Sequence, residues 1–189
     1  MLSFFNSLDY ETTTIPELIT QSEFIGKVEI VDVQKNRFKI KILDKIKGSL
    51  NDEIWVNKFQ NWMCASRWTD YSVGQQELIF LNKNNKTEKW YPIGAGNEGE
   101  IPTVKDSVFV LSKNYFVQKR GQKQFKIHNQ KAYAYPFSYL DTKLGILSYM
   151  ENQKTYAEFS CDEFRNFKTE NLFLQGIVLQ ITPTNCEEN

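Results

Sequence analysis

The chain has 189 residues, with 23 Lys and Arg against 23 Asp and Glu, and 41% of it is hydrophobic. A net charge of zero excludes a uniformly basic polyanion binder, and the apolar content excludes an acidic disordered chain. A chain of this length buries roughly 70% of its unfolded surface, so it folds without needing a metal or a disulfide.

Residues 1–14 form a polar, irregular N-terminal arm. A short helix follows: Thr14 caps it, Pro16 and Glu17 sit in its first turn, Leu18 and Ile19 are its buried contacts, and it ends near Ser22. The period then changes to two. Phe24, Val28 and Ile30 alternate with Lys27 and Glu29, and Gly26 within this strand predicts a bulge or a sharp coil. The next strand sets Phe38, Ile40 and Ile42 against Arg37, Lys39 and Lys41, and stops at Lys47-Gly48-Ser49. Because its aromatic residue lies on the inner face, this strand by itself offers no stacking surface beside its cations.

A third strand spans residues 53–59. Residues 60–75 are a long connection carrying Trp62, Cys64, Trp68 and Tyr71. Leu78 to Leu81 is a continuous apolar run, predicted as a strand buried on both faces. Trp90 to Ile93 begins another strand. The Gly94–Gly99 loop lacks the Gly-Lys-Ser/Thr ending of a phosphate cradle and is expected to be a tight turn leaving the barrel. Short strands are expected at 107–111, 115–119, 124–127 and 131–135, ending at Pro136. A helical stripe of Phe137, Leu140, Leu144, Leu147 and Met150 predicts a buried helix to about Gln153. A second helix starts at Ser160 or Asp162, since the spacing of Ser160 to Glu163 matches a capping box, with Phe164 and Phe167 buried. Residues 172–181 are expected to be a last strand, and 183–189 a polar tail.

These elements predict a mainly β protein: an OB-like Greek-key barrel over 15–100, extended over 101–182 by a β-meander and two packed helices. Within it, Phe24-Ile25-Gly26-Lys27-Val28, then Ile46-Lys47-Gly48 with Asp52-Glu53-Ile54-Trp55-Val56, and Cys64 with Tyr71-Ser72-Val73-Gly74 through Leu81 carry a resemblance. They are similar to the netrin-like domains, the tissue-inhibitor-of-metalloproteinases type of OB-fold, especially uncharacterised bacterial members. The resemblance implies a protein-binding module. It does not imply metalloproteinase inhibition, which in that family needs an N-terminal cysteine. Residues 1–63 contain no cysteine, and Gly94, Ala95, Gly96 and Asn97 stand where a second family cysteine is expected.

The three cysteines, Cys64, Cys161 and Cys186, have no zinc-ligand spacing and are expected to be reduced thiols, one bridge plus one thiol being the alternative. The single histidine, His128, falls in a predicted turn, so a dyad with Cys64 has little support. Glu98, Glu100 and Asp106 are a candidate hard-cation or carboxylate-enzyme site, set against a solvated acidic loop. No cofactor or transition metal is implied. Asn85-Lys86-Thr87 matches a glycosylation sequon at chance frequency.

Two binding surfaces remain. Trp62, Trp68, Tyr71 and Trp90 are candidates for a protein interface, set against a role as a plug in the barrel end. Lys113, Lys119, Arg120, Lys123, Lys126 and Lys131, in a segment without Asp or Glu and interleaved with aromatics, are candidates for single-stranded nucleic acid. The function expected is a non-enzymatic module for a protein partner, with nucleic acid as the alternative and the 98–106 cation or enzyme site as a third. No membrane span is expected. Placement is cytoplasmic if Met1 is the native start, and periplasmic or surface-exposed if a leader was trimmed.

Overall fold

A computed structural model describes residues 12–61, 66–96, 98–111, 123–128, 130–183 and 186. Five strands close a barrel: β1 (Phe24–Val33), β2 (Arg37–Lys47), β3 (Glu53–Asn57), β4 (Gln76–Asn84) and β5 (Lys89–Pro92). Their order is β1-β2-β3-β5-β4, and β1 pairs again with β4 to complete the circuit. Every pairing is antiparallel except β3 with β5, which meet in parallel at one bridge, Val56 to Trp90. The inward residues are those the alternation predicts. Phe24, Val28, Ile30, Phe38, Ile40, Val56, Ile79 and Leu81 form a fully buried interior. The bulge expected at Gly26 is present, since the β1–β2 register shifts on both sides of it. A Cβ there would lie 2.6 Å from the Asp44 carbonyl oxygen, so the two strands approach closely only because the residue is glycine.

The sheet does not end at the barrel. From β4 it continues through β6 (Glu100–Val104), β7 (Ser107–Val110), β9 (Gln130–Ser138) and β8 (Lys123–Ile127). This explains the continuous apolar run in β4. Ile79 and Leu81 point into the barrel, while Leu78 and Phe80 point into a second core shared with the helices. The strand expected over 115–119 lies outside the described residues. β9 runs past Pro136 to Ser138, where the sequence predicts a stop. Among the described residues the pairing of β8 to β9 reaches only Ala134, and Pro136 is laddered on one side, to Phe109 of β7, where a proline is tolerated.

The second core is closed by α1 (Ile15–Gln21), α2 (Tyr139–Ala157), α3 (Cys161–Asn166) and α4 (Leu172–Gln180). Thr14 with Glu17, and Ser160 with Glu163, form reciprocal capping boxes at α1 and α3. Two expectations fail. Residues 172–180 are a helix, not a strand; Asn171 caps it, its Oδ1 accepting from the Leu174 N–H at 2.8 Å. The face of α2 that docks is also not the leucine stripe. Phe137 belongs to β9, while Leu140 and Leu144 are 63% and 50% exposed. The buried side is Thr142, Gly145, Ile146, Tyr149 and Tyr156. Gly145 decides this: a Cβ on it would lie 3.1 Å from Leu174 N and 3.2 Å from the Phe173 ring, so α4 docks where α2 is thinnest.

The cysteine expectation is also corrected. Cys161 and Cys186 are bridged, with their Cα atoms 5.1 Å apart, so the first turn of α3 is tied to the segment after α4. Cys64 lies outside the described residues.

The start of α2 is hooked to the barrel at Asp44 of β2. Lys143 Nζ lies 2.6 Å from its carboxylate, and the Tyr139 hydroxyl donates to it at 2.9 Å. Burial pushes the Asp44 carboxyl up, but the hydrogen bonds from Lys143 and Tyr139 and the Lys143 charge outweigh it and hold the group below its ordinary 3.8. Its contribution to stability is therefore present above pH 3.8 and lost as pH falls through the lower folded value. Asp44→Asn is expected to cost about 1 kcal/mol at neutral pH, because both side chains are partly solvated. The loss should vanish in acid; urea unfolding of both proteins at neutral and strongly acidic pH checks it.

Candidate functional site

Residues 66–75 of the long connection fold back into one end of the barrel. Tyr71 stacks on Phe38 with ring centroids 4.6 Å apart, and its hydroxyl accepts from the Phe59 N–H at 2.9 Å and donates to Glu100 at 3.0 Å. Arg67 is buried beside it, its guanidinium 4.0 Å from the Tyr71 ring and 5.2 Å from Trp68. It donates to Glu77, to Glu100 at 3.3 Å and to the Thr69 carbonyl at 2.7 Å. The β4–β6 register places the two carboxylates. Glu100 pairs with Ile79, and Glu77 precedes Ile79 by two, so both lie on the face that carries the barrel interior.

This is a buried polar plug with one cation for two carboxylates. Burial pushes the Glu100 carboxyl up against the opposing pull of Arg67 and Tyr71. Burial and the Glu100 charge push the Tyr71 phenol up as well. Gln75 Oε1, Glu77 Oε2 and Trp68 Nε1 find no hydrogen-bond partner among the described residues.

The acidic loop read from the sequence as solvated is therefore interior. Glu98 and Glu100 are 4% and 1% exposed. Glu98 accepts from the Ala95 N–H at 2.7 Å and so closes the glycine loop on itself. Gly96, at φ +58°, would place a Cβ 2.5 Å from the Ser66 carbonyl oxygen; the loop is packed against the connection, as a tight turn. Asp106 sits apart, in the β6–β7 turn. Among the described residues no group of three His, Cys, Asp or Glu is placed to hold a metal ion.

The aromatic candidates do not form one open surface. Tyr71 is inside the barrel mouth and Trp90 packs half-buried on the barrel interior. Trp68 is half-buried, 5.6 Å from the His128 ring. Trp62 lies outside the described residues. His128, at φ +44°, is half-buried, with Nε2 3.3 Å from the Thr103 carbonyl oxygen. Of the basic set, Lys113, Lys119 and Arg120 lie outside the described residues. Lys123, Lys126 and Lys131 are exposed on the β8–β9 hairpin, with Lys126 directly opposite Lys131.

A third surface was missed. On the outer face of β2 and β3, Arg37 pairs with Asn57, Lys39 with Trp55 and Lys41 with Glu53. Arg37 lies over the Trp55 ring at 4.3 Å. The aromatic beside these cations comes from the neighbouring strand, so β2 by itself could not reveal it. The alternation of β3, with Ile54 and Val56 inward and Trp55 outward, was the available signal. At the end of this face lies a hollow of about 350 Å³ lined by Asn36, Asn57, Lys58, Gln60 and Lys89. Among the described residues no carboxylate lines it. Lys39 pairs with Glu53 and Lys83 with Glu88, whereas Arg37, Lys58 and Lys89 make no ion pair among the described residues.

Fold and site together define a mainly β protein: a closed five-stranded barrel with a charged plug, an extended sheet and a helical cover. No known protein family, curated protein or solved structure matches the chain. Among the described residues no helix is long and apolar enough to cross a membrane.

Proposed function

We propose that the protein is a non-enzymatic binding module of the OB-like, netrin-like kind, and that its partner is another protein. The contact surface is the outer face of β2–β3 with its adjoining hollow, not the aromatic connection, whose Tyr71 ring is spent on closing the barrel. One observation carries this reading: a concave polar site lies beside Arg37, Lys58 and Lys89, three cations without carboxylate partners among the described residues. In OB-folds strands two and three, with the flanking loops, form the ligand face, there for oligonucleotides and oligosaccharides. The titratable cluster around Arg67 supports the non-enzymatic reading, because its carboxylates are sealed from solvent. The Cys161–Cys186 bridge supports an oxidising compartment outside the cytosol.

Capture from an extract of the source cells tests the surface. Lys58→Glu/Lys89→Glu is expected to lose the partners that the parent protein retains, while Trp68→Ala keeps them. The opposite pattern would return the interface to the connection.

A second reading, single-stranded nucleic acid, is favoured by one feature. Lys126 and Lys131 are cross-strand neighbours of like charge, which costs stability, and Tyr133, 60% exposed, stands two residues along β9 on the same face. Oligonucleotide binding that weakens on Lys126→Glu/Lys131→Glu supports it; absence of salt-dependent binding removes it.

A further inference from the structure

We infer that the hollow and the outer β2–β3 face bind an acidic, extended polypeptide segment. This rests on the binding-module reading above and names the chemistry of its partner. The charge is the first argument. Lys58, just past the end of β3, and Lys89, at the start of β5, both line the hollow, and Arg37 extends the same positive face. β3 and β5 run parallel with Val56 opposite Trp90, so Lys58 and Lys89 are offset by three residues, about 10 Å along the strand direction. Two cations so spaced suit a ligand with repeated charges rather than one small anion.

The carboxamides are the second argument. Asn36, Asn57 and Gln60 each present a donor and an acceptor. A peptide main chain offers both complements at every residue, whereas a phosphodiester backbone offers only acceptors and would leave each amide oxygen unanswered. The rings are the third. On this face Arg37 covers Trp55, and Trp90 and Tyr71 are packed on the barrel interior. Tyr91, 38% exposed, is the open ring left there among the described residues. One ring is a poor platform for a run of stacked bases, while a peptide needs none.

The probe is fluorescein-labelled hexaglutamate, titrated at low salt against the full chain and followed by anisotropy. The parent protein is expected to bind it saturably. Lys58→Glu/Lys89→Glu is expected to weaken binding at least ~tenfold, since facing charges then repel. Lys126→Glu/Lys131→Glu, on the distant hairpin, leaves it unchanged. An oligothymidylate of equal charge is expected to bind at least ~tenfold more weakly than the peptide, since its backbone offers the amides no donor. The inference is overturned if hexaglutamate does not bind, if both charge-reversal pairs weaken it equally, or if the oligothymidylate binds as tightly. Failure of the peptide, with partner capture still lost in Lys58→Glu/Lys89→Glu, would overturn the acidic ligand and leave the binding module standing. Lys89 is exposed and Lys58 only half-buried, so both variants are expected to fold; unchanged thermal melts check it.

Discussion

Replacing Arg67 by leucine is expected to destabilise the protein by about 3–5 kcal/mol, the cost of leaving a buried charge without its partner. Glu77 and Glu100 are 0% and 1% exposed, and Arg67 is the cation that both of them meet. Leucine fills part of the space and answers neither carboxylate. Lysine should restore little, because one ammonium cannot reproduce a planar fork that serves Glu77, Glu100 and the Thr69 carbonyl together. Equilibrium urea unfolding measures the difference. A loss below about 1 kcal/mol would mean that the plug is wet and the carboxylates are solvated.

The two carboxylates should not respond alike. Arg67 is committed most closely to Glu77, and Glu100 carries the desolvation cost that burial imposes. Its folded value is raised above the ordinary 4.5, so its proton-linked contribution is full below pH 4.5 and is lost as pH rises through the raised value. Glu100→Gln, which imitates the protonated acid, is therefore expected to stay within about 1 kcal/mol of the parent at neutral pH. The parent should gain on that variant as pH falls toward 4.5. The defect of Arg67→Leu should shrink over the same window, as the stranded carboxyls take up protons. Asp44 acts with the opposite sign and at lower pH, so the two are separable. If the parent and Glu100→Gln kept a constant difference across this range, Glu100 would not be the titrating group.

The barrel was legible because period-two alternation is local information. Phe38, Ile40 and Ile42 declare the inner face of β2, and the unbroken run in β4 declares a strand covered on both sides. What was not legible depends on contacts between distant segments. Leu172 to Gln180 is apolar on every side, so no period separates a strand from a buried helix. The leucine stripe of α2 has the right spacing, yet Gly145 admits α4 on another face. The plug was hidden for the same reason: nothing local links Arg67 to Glu77 and Glu100. The one warning was Glu77 itself, a carboxylate at an inward position of the most apolar strand. A charge there requires a buried partner, and Arg67, in the adjacent connection, was within reach.

Breaking the Cys161–Cys186 bridge is expected to cost about 3–4 kcal/mol, from the chain entropy that a loop of this size returns to the unfolded state. The bridge spans 25 residues and encloses all of α4 and nearly all of α3. Buried packing also holds α3 and α4, through Phe164, Phe173, Leu174, Ile177 and Val178, while at the far end of the loop Arg165 donates to the Cys186 carbonyl at 3.2 Å. Cys161→Ser/Cys186→Ser should therefore lower the melting temperature by about 10 °C. Amide exchange should quicken first in α3 and α4, and only afterwards in β1, β2 and β4, whose ladders do not depend on the bridge. Thiol titration of the denatured, unreduced protein is expected to find one reactive cysteine, and three after reduction. Three before reduction, with no change in melting on adding reductant, would show that the helical cover stands without a cross-link. It would also remove the reason to place the protein in an oxidising compartment.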